Sequence, residues 1–97
     1  MREIFQQSPF KADFKRVSRS GRYKAEDVLG IIAKLANDEP LPERCRDHAL
    51  TGEWKDFRDC HIKPDLVLIY QKPDDDRMVL ARLGSHSELG LWWGRIK

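Results

Sequence analysis

The side chains in this 97-residue chain best suited to moving a proton near neutrality are its three histidines, His48, His61 and His86. All fall in the second half, where loops are expected to meet strands. His48 closes a proline-containing loop, His61 ends an expected strand four residues before Asp65, and His86 follows the last expected strand just past Gly84. If those strands are neighbours, three imidazoles and one carboxylate converge, which is the equipment of general acid–base catalysis. A histidine taken alone is more often a surface or hydrogen-bonding residue, and Asp65 after Pro64 is by itself a turn residue. The catalytic reading rests on four such residues occurring together at loop and strand ends, where sites usually lie. Lys55, Arg58, Lys63 and Arg82 lie near these positions in sequence. Singly each is a solvated cation; together they suit a phosphodiester, whose non-bridging oxygens gain charge during cleavage. Trp54, Phe57 and Tyr70 can stack on bases, although core packing is the simpler expectation for each.

A metal centre is the competing use of the same residues. Cys45 and His48 with Cys60 and His61 supply four residues of zinc-ligand type. Adjacent residues on a strand point to opposite faces, so Cys60 and His61 reach one ion only with difficulty. Zinc by that route is not expected. His48, His61, His86 and Asp65 can themselves hold a metal, and their spacing leaves that open. No secretion signal is evident in the opening MREIFQQSPF, so both thiols are read as reduced and the cytoplasm is the expected compartment.

The elements that must position these residues follow from periodicity. Residues 2–6 read as an opening strand. Ser8-Pro9 offers a helix start, and Phe10, Phe14 and Val17 form one apolar stripe that Ser20-Gly21 ends. A second helix is predicted from about Lys24 to Asn37, with Val28, Ile31, Ile32, Leu35 and Ala36 inward. Residues 38–49, with Pro40 and Pro42, read as loop. Strands are predicted over 54–62, 66–70 and 78–83, and the unbroken apolar run Leu66 to Tyr70 predicts a central strand buried on both faces. The result is a single α+β domain of order β-α-α-β-β-β, a mainly antiparallel sheet with a helical hairpin packed on one face. Eighteen basic against sixteen acidic residues leave a net charge of +2 in a chain that is 35% charged. That balance is too weak by itself to announce a nucleic-acid binder, and no apolar run is long enough to span a membrane.

The second half also resembles a known family. Asp47-His48-Ala49-Leu50, the run from Gly52 through Trp54-Lys55-Asp56-Phe57-Arg58-Asp59-Cys60-His61 to Pro64-Asp65, Leu68-Ile69-Tyr70, and Gly84-Ser85-His86-Ser87-Glu88-Leu89 are similar to the YafQ-type toxins of the RelE superfamily. The resemblance covers about residues 2–89 and is strongest from Asp47 onward. It implies a small RelE-like fold and a ribosome-dependent mRNA endonuclease, the toxin of a type II toxin–antitoxin pair. His48, His61, Asp65 and His86 would form its active site, with no metal and no cofactor. The ribose 2′-OH would attack the adjacent phosphate, leaving a 2′,3′-cyclic phosphate and a 5′-OH. In this scheme His86 is the acid, Asp65 with His61 or His48 activates the 2′-OH, and Arg82 holds the phosphate. Implied partners are a cognate DinJ/RelB-like antitoxin, the 70S ribosome and mRNA in its A site, with no membrane and no DNA except through the antitoxin complex. Two positions depart from the pattern, since related toxins often carry Trp at Leu66 and an aromatic at Gly90. The tail 90–97, with Trp92 and Trp93, runs past the usual end. Two alternatives share the scaffold: a ParE-like toxin that binds gyrase, which would not need the histidines, and a weakened toxin that still binds its antitoxin.

Overall fold

The structure is a computed structural model that describes residues 1–89; the expectations for Gly90 and the Trp92-Trp93 tail lie outside the described residues. Strand β1 (Glu3–Gln6) leads into helices α1 (Ser8–Arg19) and α2 (Ala25–Ala36). Strands β2 (His48–Ala49), β3 (Arg58–Lys63), β4 (Leu66–Gln71) and β5 (Arg77–Gly84) follow, and α3 (His86–Leu89) closes the described chain. The five strands lie in the order β1-β5-β4-β3-β2. Only β1 with β5 is parallel; the other pairings are antiparallel. This is the α+β sheet expected from the sequence, with β4 at its centre and Leu66 to Tyr70 all buried.

Alternation along each strand divides the apolar residues between two faces. Cys60, Ile62, Leu66, Leu68, Tyr70, Met78, Leu80 and Leu83 pack under Phe10 and Val17 of α1 and Val28, Ile31, Ile32 and Leu35 of α2. The opposite face carries Val67, Ile69 and Ala81, covered by Leu50, Leu89, Trp54 and Phe57 and by no residue of α1 or α2. Helices α1 and α2 therefore seal one face and leave the other to loops and α3, and that second face holds the histidines.

Several boundaries differ from the sequence reading. The cap of α1 is Gln7 rather than Ser8, with no side-chain hydrogen bond. Residues 38–49 contain a 3-10 turn at Glu43–Cys45 and the two-residue strand β2. The strand expected from Trp54 starts only at Arg58, because Gly52–Trp54 forms a second 3-10 turn. No described helix is long and apolar enough to cross a membrane.

The outer edge of β5 is completed by a helix. β1 pairs with β5 only as far as Leu80. Beyond it, buried Asp13 of α1 accepts the Leu83 N–H at 3.0 Å, while Arg16 donates to the Leu83 carbonyl at 3.2 Å. Side chains of α1 thus satisfy backbone groups that a longer β1 would have paired. Asp13 also binds Arg82 through two contacts, at 2.6 and 3.2 Å.

Candidate active site

Strand register assembles the site. His48 of β2 stands opposite Asp59 of β3. His61, two residues on and therefore on the same face as Asp59, stands opposite Val67, which in turn stands opposite Gly84 at the exit of β5. His86 enters two residues later as the first residue of α3. A capping box fixes that start: Ser85 Oγ accepts the Glu88 N–H at 3.1 Å, and Glu88 Oε1 accepts the Ser85 N–H at 2.9 Å.

The convergence expected from the sequence is present for the imidazoles, but the carboxylate among them is Asp59. The His61 and His86 rings meet edge to face with centroids 4.9 Å apart. Asp59 is fully buried, with Oδ2 4.0 Å from His86 Nε2 and Oδ1 3.0 Å from His48 Nδ1. The second contact is electrostatic rather than a hydrogen bond, because His48 Nδ1 is directed at the Arg46 carbonyl at 2.7 Å and neither Asp59 oxygen accepts a hydrogen bond. A carbonyl only accepts, so that bond places a proton on Nδ1, and in the neutral ring the lone pair lies on Nε2.

Burial pushes the Asp59 carboxyl up to about 6, with Asp47 adding to the rise while the charges of His48 and Arg58 oppose it. Burial holds His61 below the usual imidazole range, helped by the charges of Arg46 and His48. His86 is lowered likewise, by burial first and then by His61 and His48. Burial thus favours the neutral form of His61 and His86 and the protonated form of Asp59, perturbations of the kind that cluster at functional sites.

Asp65 is not the carboxylate between the imidazoles; with Ser85 and Glu88 it lines the cavity beside them. At the tip of the β3–β4 turn it binds Arg22 at 2.7 Å, and hydrogen bonding from Tyr23, together with the Arg22 charge, holds it below the usual carboxylate range. The cations are also committed to partners. Arg58 binds Asp47 at 3.2 Å, Lys63 binds Asp27 at 3.3 Å, and Arg82 binds Asp13. Lys55 is exposed in the segment between Trp54 and Phe57, whose own side chains pack on the histidine face. Arg46, passed over in the sequence, is the cation whose charge acts on His61. Leu66 is buried against the helices, so the position where related toxins often carry Trp is a core position here. Asp59 was legible in principle: it precedes His61 by two residues on a strand.

Metal-binding capacity exists within the cluster. Ligand atoms of Asp59, His61 and His86 lie within 4.8 Å of one another, a set suited to a divalent transition metal.

Residues 2–90 match the model of a bacterial toxin of the type II toxin–antitoxin system, YafQ. The chain is 36% identical over 90 residues to the mRNA interferase toxin YafQ of Escherichia coli K12, covering 91% of this chain and 95% of that protein. It is 53% identical over 66 residues to a Haemophilus influenzae protein named putative toxin YafQ, a match spanning 65% of either chain. Among solved structures, a copper-bound mutant toxin from Helicobacter pylori superposes with a TM-score of 0.84 at 42% identity, over 92% of this chain and 99% of that one. A toxin–antitoxin complex of E. coli, DinJ–YafQ, gives 0.78 at 30% identity over 91% and 96%.

Proposed function

The chain belongs to the YafQ family of type II toxin–antitoxin toxins, and from that premise we propose that it is an endoribonuclease cutting mRNA in the ribosomal A site. The observation that carries this reading is the meeting of three imidazoles around one buried carboxylate on the sheet face that α1 and α2 leave uncovered. The cluster provides two kinds of group within reach of one phosphate, a base and an acid.

His48 serves as the base. Its Nδ1 is engaged with Arg46, and its half-exposed ring offers Nε2 to the ribose 2′-OH. The 2′-oxygen attacks phosphorus, the P–O5′ bond breaks, and His86 delivers a proton to the departing 5′-oxygen. The products are a 2′,3′-cyclic phosphate and a 5′-OH; His48 ends with the proton taken from the 2′-OH, and His86 ends neutral, having given its own to the 5′-oxygen. Asp59 holds positive charge on His86 as the phosphate approaches, supporting the acid form that burial otherwise disfavours. His61 packs on His86 and fixes its ring. Arg46 and Lys55 supply positive charge to the phosphate in the role first expected of Arg82, whose guanidinium is held by Asp13. Asp65, ionised and half-exposed, orients Arg22 toward the message.

A cognate DinJ-like antitoxin is the proposed neutralising partner, and the cytoplasm is the proposed compartment. The alternative of a weakened toxin finds one specific support, the burial of Leu66, which removes one base-stacking surface. Expression of the wild-type chain and of His86→Ala decides between them. The wild type should arrest growth and cut translated messages, while His86→Ala should do neither; harmless wild-type protein that still binds antitoxin would favour the weakened toxin. Copper or zinc added to the active protein should occupy Asp59, His61 and His86 and block cleavage, and a chelator should restore it.

A further inference from the structure

His48 is delivered by a strand only two residues long, paired on one side with β3. So short a ladder does not by itself hold a catalytic ring to within a fraction of an ångström. What surrounds it does. Asp47 Oδ1 accepts a hydrogen bond from the Tyr70 hydroxyl at 2.6 Å and from Arg58 Nε at 3.2 Å, and the Asp47 carbonyl accepts a long contact from Arg58 at 3.4 Å. Tyr70 is buried in the central strand, so the anchor is rigid. On the other side, Cys45 is fully buried in the helix-side core. Arg46 between them adopts a left-handed conformation with φ of 46°, and its carbonyl meets His48 Nδ1. A non-glycine residue occupies that region only where its surroundings impose it. The two fixed ends, Cys45 in the core and Asp47 on Tyr70, supply the imposition.

We propose that Asp47 is a positioning residue of the reaction: the Tyr70–Asp47–Arg58 clamp fixes the Arg46 carbonyl, which in turn fixes the tautomer and orientation of His48. The inference rests on the assignment of His48 as base. It also gives Arg58, beside the site in sequence, a role within the fold: its charge compensates Asp47. Asp47 touches no reacting atom in this scheme and acts only through His48.

The test uses the full chain with the substitutions Asp47→Ala, Asp47→Asn, Tyr70→Phe and His48→Ala, and the double variant Asp47→Ala/His48→Ala. Long-range proton–nitrogen NMR of the free chain reads the His48 tautomer, and message cleavage in a reconstituted translation system reads kcat and KM. Asp47→Ala should lose the Nδ1–H signature and lower kcat about 10- to 100-fold, with KM changed less than 3-fold. Asp47→Asn, whose amide oxygen still accepts the Tyr70 hydroxyl, should recover most of the rate. The double variant should be no slower than His48→Ala alone. Should Asp47→Ala fail to fold, Tyr70→Phe makes the same measurement and should show the same direction with a smaller loss. An unchanged tautomer with unchanged kcat in either variant overturns the proposal, as does a double-variant loss equal to the product of the single losses. Full cleavage by His48→Ala would sink the base assignment instead, and the NMR arm would still decide whether Asp47 holds the ring.

Discussion

The buried carboxylate is the residue on which stability and activity pull in opposite directions. The folded chain holds a proton on Asp59 up to about pH 6, whereas an unfolded aspartate releases it near 3.9. Between those values the folded state binds more protons, so stability falls as pH rises through that window. Asp59→Asn removes the ionised form altogether. It should melt at a higher temperature than the wild type at pH 7, by a margin on the order of 1 kcal/mol, while cleavage falls at least tenfold. Calorimetry and a cleavage assay check both halves. The three histidines were legible because a titrating side chain at a strand end is conspicuous in a sequence. Asp59 was far less conspicuous, for it reads as one more charge in a charged run, and only the period-two relation to His61 betrays its face. Asp65 drew the reading instead because it stands at the hairpin end four residues after His61; in the fold it pairs with Arg22 at that turn.

At the scale of elements, the long periodic segments were legible and the short ones were not. The helix stripes and the apolar run of β4 predict α1, α2 and the sheet centre, since burial of whole faces is written in their spacing. β2 and α3 carry too few residues to show a period, and tertiary contacts define both, yet each delivers a histidine. The α3 start depends on its capping box, so Ser85→Ala should cost about 1 kcal/mol of stability. It should also reduce cleavage through loss of His86 positioning, whereas Ser87→Ala should do neither. The β5 edge depends on Asp13. Burial pushes its pKa up, but Arg82, the Leu83 N–H and Arg16 outweigh that and hold it below the usual value. A carboxyl lowered on folding stabilises the chain above the unfolded pKa, and that stability is lost as the pH falls through the folded one. Asp13→Asn should therefore lower the melting temperature at pH 7, with a difference from wild type that shrinks toward pH 3.

Across the whole molecule, a net charge of +2 conceals how the ions are spent. Arg58, Lys63 and Arg82 each have an acidic partner within the fold, so the basic groups near the histidines in sequence bind structure first. With those three committed to the fold, Arg46 and Lys55 remain to meet the phosphate, which accords with a message presented by the ribosome. The central claim is that the cluster of His48, His61, His86 and Asp59 cuts RNA by 2′-OH attack. The most direct measurement is the chemistry of the ends formed when a defined message is translated in the presence of the wild type and of His86→Ala. The wild type should leave 2′,3′-cyclic phosphate and 5′-OH ends, and His86→Ala should make at least about a hundredfold fewer cuts. Ends bearing a 5′-phosphate, or undiminished cutting by His86→Ala, would contradict the claim.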